Sequence, residues 1–254
     1  MTYSKEDIEN CKNLDELFIL WKSKPIVETS YIEEGKVVNV VINHRNVFIS
    51  DGAVCPEVWN DRTKGKHILF VLKEAYGEEC DWSLTDWLRK TGPSSNIWYR
   101  VAEWCYGITN TTADEIARYS PDEISFKHSE SEPNEWLSQI AVLNIKKSSG
   151  ESSSQYGEIS AYADYDKEEI RREIELLDPD IIVCGATAND VNHITGGSIK
   201  CEPCDNWYYW SDAIGGKERL YIDYYHPANR YPTLLNYYGL VNIYQQALKE
   251  KVKL

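Results

Sequence analysis

Four short apolar runs constrain this chain more than anything else in it. They are His67–Leu72 (HILFVL), Ile140–Ile145 (IAVLNI), Asp180–Cys184 (DIIVC) and Leu220–Tyr225 (LYIDYY). Each is close to continuous in apolar residues rather than alternating, which is the pattern of a strand covered on both faces. Helical stretches separate them, and strands that lie parallel need crossovers of that length. The expected fold class is α/β: a three-layer α/β/α sandwich around a mainly parallel four-stranded central sheet. At 254 residues the chain can bury one large core, so residues 1–254 are read as a single domain.

The remaining segments attach to that sheet. Ser4 and Asp7 form a capping-box pattern, and Ile8, Cys11, Leu14, Leu17, Phe18 and Trp21 follow at helical spacing, predicting one N-terminal amphipathic helix. The β-rich runs Ile26–Ile32 and Val37–Ile42 flank Glu33-Glu34-Gly35-Lys36 and predict a hairpin, so residues 1–60 form an extension. Asp51-Gly52 reads as a turn, with Asp51 serving turn chemistry. From Leu84 to about Gln139 the chain is helical, and Trp87, Trp98, Trp104 and Trp136 are read as core packing. Downstream come a polar loop at His128–Asn134, a charged helix at Asp166–Leu177 and an extra strand at Trp207–Trp210. The closing helix, Thr233 to about Lys249, is expected to turn Leu235, Tyr238, Leu240, Val241 and Leu248 inward.

Charge limits the partners. The 27 basic against 41 acidic residues give a net charge of −14, which opposes loose attachment to nucleic acid or to an anionic membrane; a DNA contact therefore requires a local basic edge. No apolar run is long enough to span a bilayer and the N-terminus has no signal-peptide core, so a soluble, cytoplasmic, monomeric protein is expected. Seven scattered cysteines read as reduced thiols. Cys201-x-x-Cys204 is the close pair among them, and no second pair or matching histidines stand nearby, so neither a metal nor a cofactor is expected.

Polar residues begin where the strands stop. The first strand runs into Lys73-Glu74-Ala75-Tyr76-Gly77, the second carries Asn144 and ends at Lys146-Lys147, and the fourth stops at His226-Pro227 with Arg230 beyond. Carboxyl ends of parallel strands share one edge, and in open α/β sheets that edge is where ligands bind. Pro227 confines His226 to an extended backbone. An asparagine in an apolar strand costs burial energy unless its amide is satisfied, so Asn144 needs a partner. Glu74, Asn144 and His226 are expected to surround one cleft.

In these three motifs the chain resembles the uracil-DNA glycosylase superfamily. One branch of that superfamily has Gly-Glu-Ala-Pro-Gly after its first core strand, and Lys73-Glu74-Ala75-Tyr76-Gly77 agrees at Glu, Ala and the last Gly. Ala141-Val-Leu-Asn144 is similar to the strand bearing the uracil-reading asparagine. His226-Pro227-Ala228-Asn229-Arg230-Tyr231-Pro232 keeps the His, Pro, Arg and final Pro of a His-Pro-Ser-Pro-Arg-Asn-Pro loop. Ala75 stands where several branches have a water-activating Asp, and Ala228 replaces the loop serine.

The resemblance implies hydrolysis of the N-glycosidic bond of uracil or a related base in DNA. His226 would donate to the anion forming on the base, Asn144 would read the uracil edge, and Glu74 would orient or activate water. Tyr76 or a tryptophan would stack on an extruded base, and Lys146, Lys147 and Arg230 would hold phosphates. The replacements at Ala75 and Ala228 support an alternative, a catalytically inactive module binding a nucleobase, nucleotide or protein. Hydrolysis of a small nucleoside is a third reading.

Overall fold

The computed structural model describes residues 3–77, 80–129, 134–151, 153–199 and 207–252. Cys201, Cys204 and part of the polar loop at 128–134 lie outside the described residues. In chain order the strands are β1 (Val27–Glu33), β2 (Lys36–Ile42), β3 (Ile49–Ser50), β4 (Gly52–Ala53), β5 (Ile68–Glu74), β6 (Trp82–Ser83), β7 (Ile140–Lys146), β8 (Ile181–Gly185), β9 (Tyr208–Ser211) and β10 (Arg219–Tyr224). The central sheet has six strands in the order β4-β7-β5-β8-β10-β9.

The four apolar runs are its parallel neighbours β7, β5, β8 and β10. The expectation of a mainly parallel four-stranded sheet is corrected at both edges, where β4 joins β7 and β9 joins β10 antiparallel, making the sheet mixed. The extra strand expected at Trp207–Trp210 is β9, which returns to β10 through a short connection, whereas β4 has only two residues, too short a run to mark it in the sequence, and joins β7 from far upstream in the chain. β1 and β2 pair as the expected hairpin, in a sheet of their own.

Side-chain alternation divides the core into two halves. Phe70, Leu72, Val142, Val183 and Ile222 face one cluster with the helices Leu84–Thr91, Asn96–Asn110 and Thr233–Val252. Leu69, Val71, Leu143, Ile182 and Cys184 face the other, with the helices Leu14–Lys22, Tyr156–Tyr165 and Lys167–Leu177. Both faces being covered explains why the runs are continuous.

Three helical expectations change. The N-terminal helix is two, Lys5–Asn10 and Leu14–Lys22, because Asn13 caps a second start by accepting from the Glu16 N–H at 2.9 Å. Leu235 and Tyr238 of the closing helix are exposed, and Asn236, Tyr237, Tyr244 and Ala247 join Leu240 and Val241 on its buried side. Trp98, Trp104 and Trp136 are core as expected, whereas Trp87 is partly exposed. Among the described residues no helix is long and apolar enough to cross a membrane.

Trp104 is wholly buried, stacked on Phe70 with ring centroids 6.3 Å apart and edge-on to Tyr224 at 5.4 Å. Trp104→Ala is expected to cost about 3–5 kcal/mol through lost burial and the cavity left behind, measured as a lower urea midpoint with an unchanged slope.

Candidate functional site

A cavity of about 720 Å³ opens at the carboxyl edge of the parallel strands, and Glu74, Asn144 and His226 all line it. Pairing places the first two. Leu72 of β5 lies opposite Asn144 of β7 and Glu74 opposite Lys146, so the ends of adjacent strands carry an acid and an amide side by side. His226 follows β10, which is separated from β5 by β8. Gly185 at the end of β8 closes that gap. A Cβ there would lie 2.7 Å from Leu72 Cδ2 and 3.3 Å from Pro227 Cδ, so the absence of a side chain lets the His226-Pro227 loop reach across β8.

The loop is tied down from outside. Arg100, on the helix Asn96–Asn110, donates to the carbonyls of Pro227 at 2.7 Å and Asn229 at 2.6 Å. Asn236 donates to the carbonyl of Tyr231 at 2.9 Å, and Asn229 donates to Asn236 Oδ1 at 2.8 Å. Within the loop the Ala228 N–H donates to His226 Nδ1 at 3.2 Å, which makes Nδ1 the acceptor and puts the ring proton on Nε2. Burial, reinforced by the nearby Lys73 ammonium, pulls the His226 pKa down to about 4. A neutral imidazole with its N–H at Nε2 results.

Asn144 has the partner its burial demands. Its backbone N–H donates to Asp51 Oδ2 at 2.6 Å and its Nδ2 donates to the same oxygen at 3.3 Å. Asp51 also pairs with Lys147, whose Nζ lies 2.8 Å from Glu173 Oε2, and all three side chains are fully buried. Burial holds the Glu173 carboxyl well above the usual carboxylate range, with Lys147 opposing and Asp51 adding to the shift. A proton on Glu173 leaves the group electrically neutral beside the Lys147 ammonium and the Asp51 carboxylate. Burial lowers the Lys147 pKa, but the Asp51 and Glu173 carboxyls outweigh it and hold the group above its ordinary value.

The expected basic edge is thereby corrected. Lys147 points into the core over the rings of Trp21 and Phe18 and has no exposed surface, so it cannot meet a phosphate. Lys146 is buried too, its Nζ 3.0 Å from Glu74 Oε2 and 2.8 Å from Glu158 Oε1. Of the three cations expected there, Arg230 is the exposed one, and it does not line the cavity. Glu74 is correspondingly not a free carboxylate, and its oxygens lie against the backbone of Gly150, where a Cβ would come within 2.4 Å of Oε2.

Tyr76 lines the cavity as expected and is 62 % exposed, a rim position. Trp82, Trp87 and Trp98 form an aromatic wall; the sequence pattern singles out the last two only as core packing and does not mark Trp82 at all. The Trp82 indole N–H is shielded from solvent and finds no protein partner among the described residues. Lys90 also lines the cavity and is exposed, a cation that no strand-end motif contains. Asp51, expected to serve turn chemistry, is instead a buried acceptor, and the signal that points to it in the sequence is the unpaired amide of Asn144.

Comparison of the chain with models of protein families and with curated proteins gives no match.

In an NMR titration the His226 ring is expected to stay neutral through the physiological range and take up its proton near pH 4. Unfolding returns the ring to about 6.5, so its contribution to stability is complete above that pH and is lost as the pH falls through about 4. Lys73→Met should move the midpoint upward. Gly185→Ala is expected to cost about 1–3 kcal/mol by overpacking against Leu72 and Pro227, and ring-current shifts of His226 should report its displacement.

Proposed function

We propose that the cavity binds a nucleobase and that the protein is a DNA glycosylase acting on uracil or a related deaminated base. The observation that carries this reading is the meeting of Glu74, Asn144 and His226, from three separate strand ends, on one cavity walled by aromatic rings. Breaking an N-glycosidic bond leaves negative charge on the departing base. A neutral His226 with its proton on Nε2 is the form that stabilises such an anion by donation, and its depressed pKa keeps it in that form. Tyr76 and the tryptophans supply faces for an extruded base, and exposed Lys90 and Arg230 are the side chains suited to meet a DNA backbone.

One feature favours the second reading, a binding module of the same fold without turnover. Glu74 is held by Lys146 at 3.0 Å, which opposes a role as the base that activates water, and Ala75 beside it has no acid to offer.

Incubation with uracil-containing single-stranded and duplex oligonucleotides, followed by detection of abasic sites, tests the proposal. Release of uracil is expected, with His226→Ala slowing it by about 10²–10³-fold, the loss that follows removal of one preorganised donor. Asn144→Ala should fall in the same range. Folded protein that releases no deaminated base but binds uracil in a calorimeter supports the module; folded protein that does neither refutes both readings.

A further inference from the structure

Asp51 belongs to none of the three strand-end motifs, yet it governs the most deeply buried polar group of the cavity. It directly precedes β4, whose antiparallel pairing with β7 sets Gly52 opposite Val142 and so brings Asp51 to the side of Asn144. Oδ1 takes the Lys147 ammonium and Oδ2 takes both N–H groups of Asn144, and the buried Glu173 carboxyl lies within hydrogen-bonding reach of the same carboxylate. A carboxylate offers acceptors alone and an ammonium donors alone. The Asn144 amide therefore has one orientation that satisfies its surroundings, nitrogen toward Asp51, and that orientation leaves Oδ1 as the acceptor the cavity meets. On the opposite side, His226 Nδ1 is occupied by the Ala228 N–H, leaving Nε2–H as a donor.

We propose that Asp51 is a positioning residue that locks the Asn144 amide with its nitrogen held away from the cavity, and so fixes which edge of a planar heterocycle that amide can read. This rests on the reading of the cavity as a nucleobase site and adds to it the residue that orients the amide, with the preference for a ring N–H beside a carbonyl as its readout. The backing of Asp51 by Lys147 and Glu173 gives the lock its rigidity. Lys147 fixes Oδ1, so the carboxylate cannot rotate without stranding a buried ammonium.

Calorimetry of the full chain with 1-methyluracil, which has the N3–H, and 1-methylcytosine, which lacks it, tests the inference in the wild type, Asp51→Asn and Glu173→Gln. Wild type is expected to prefer 1-methyluracil. In Asp51→Asn a single amide oxygen cannot serve both the Lys147 ammonium and the backbone and side-chain N–H groups of Asn144, so the Asn144 side-chain amide loses its fixed acceptor and is free to turn over; the preference should fall by about tenfold or more. Glu173→Gln disturbs the same buried group without changing the oxygens of Asp51 and should keep the preference, a split that a merely structural role would not produce. Should Asp51→Asn fail to fold, hydrogen exchange of the Asn144 side-chain amide in wild-type protein decides the matter: protection far beyond that of exposed asparagines is expected. An unchanged preference in folded Asp51→Asn, or unprotected exchange, overturns the role of Asp51 and leaves the function proposal standing. Failure of all three proteins to bind either base overturns the nucleobase reading and the role of Asp51 with it.

Discussion

The register between β5 and β7 is the constraint on which the rest of the site depends. Setting Leu72 against Asn144 and Glu74 against Lys146 brings the acid, the amide and a neutralising ammonium to one corner of the sheet. A shift of one residue would turn each side chain to the other face, exchanging Asn144 with an aliphatic neighbour. That register is held from both sides, by β8 on the far edge of β5 and by β4 on the far edge of β7. The short β4 matters beyond its two residues, because it anchors Asp51 where Asn144 needs an acceptor.

Buried charge is the second constraint on the site. The acidic total hides a core in which lysines are consumed by carboxylates: Lys147 by Asp51 and Glu173, Lys146 by Glu74 and Glu158, Lys24 by Asp166 and Glu169. Desolvating such groups opposes folding about as strongly as their attraction favours it, so they are poor sources of stability. Their effect is to fix geometry, since a partner that moves leaves an uncompensated charge behind. Around Asn144 and Glu74 this holds two polar side chains in place at the cavity. It also removes Lys146 and Lys147 from the surface, while Lys90 and Arg230 stay exposed.

The histidine loop shows how a remote residue reaches a site. His226 must cross β8 to meet Asn144, and Gly185 provides the passage while Arg100, Asn229 and Asn236 pin the loop through its backbone and side-chain polar groups. The same enclosure that orients the imidazole shields it in part from water and keeps it neutral. Orientation and protonation state thus have one cause, the packing of the loop over the strand ends.

Much of the framework was legible in the residues. The four core strands, the hairpin, the extra strand near Trp207 and the meeting of Glu74, Asn144 and His226 could be read because apolar continuity and strand-end polarity are local patterns, and parallel strands send their ends to a common edge. Other features were not local. Asp51 and Lys147 are 96 residues apart along the chain, and nothing in an Asp-Gly pair or a Lys-Lys pair states that each is the other's counter-ion. Trp87 and Trp98 share a helical region and a residue type, yet one is partly exposed and the other buried. The sequence by itself determined the four central strands and which polar residues would stand at their ends. Tertiary structure alone decided which of those charges are spent on each other and which face the cavity, because ion pairing and desolvation depend on distances between segments that only packing sets.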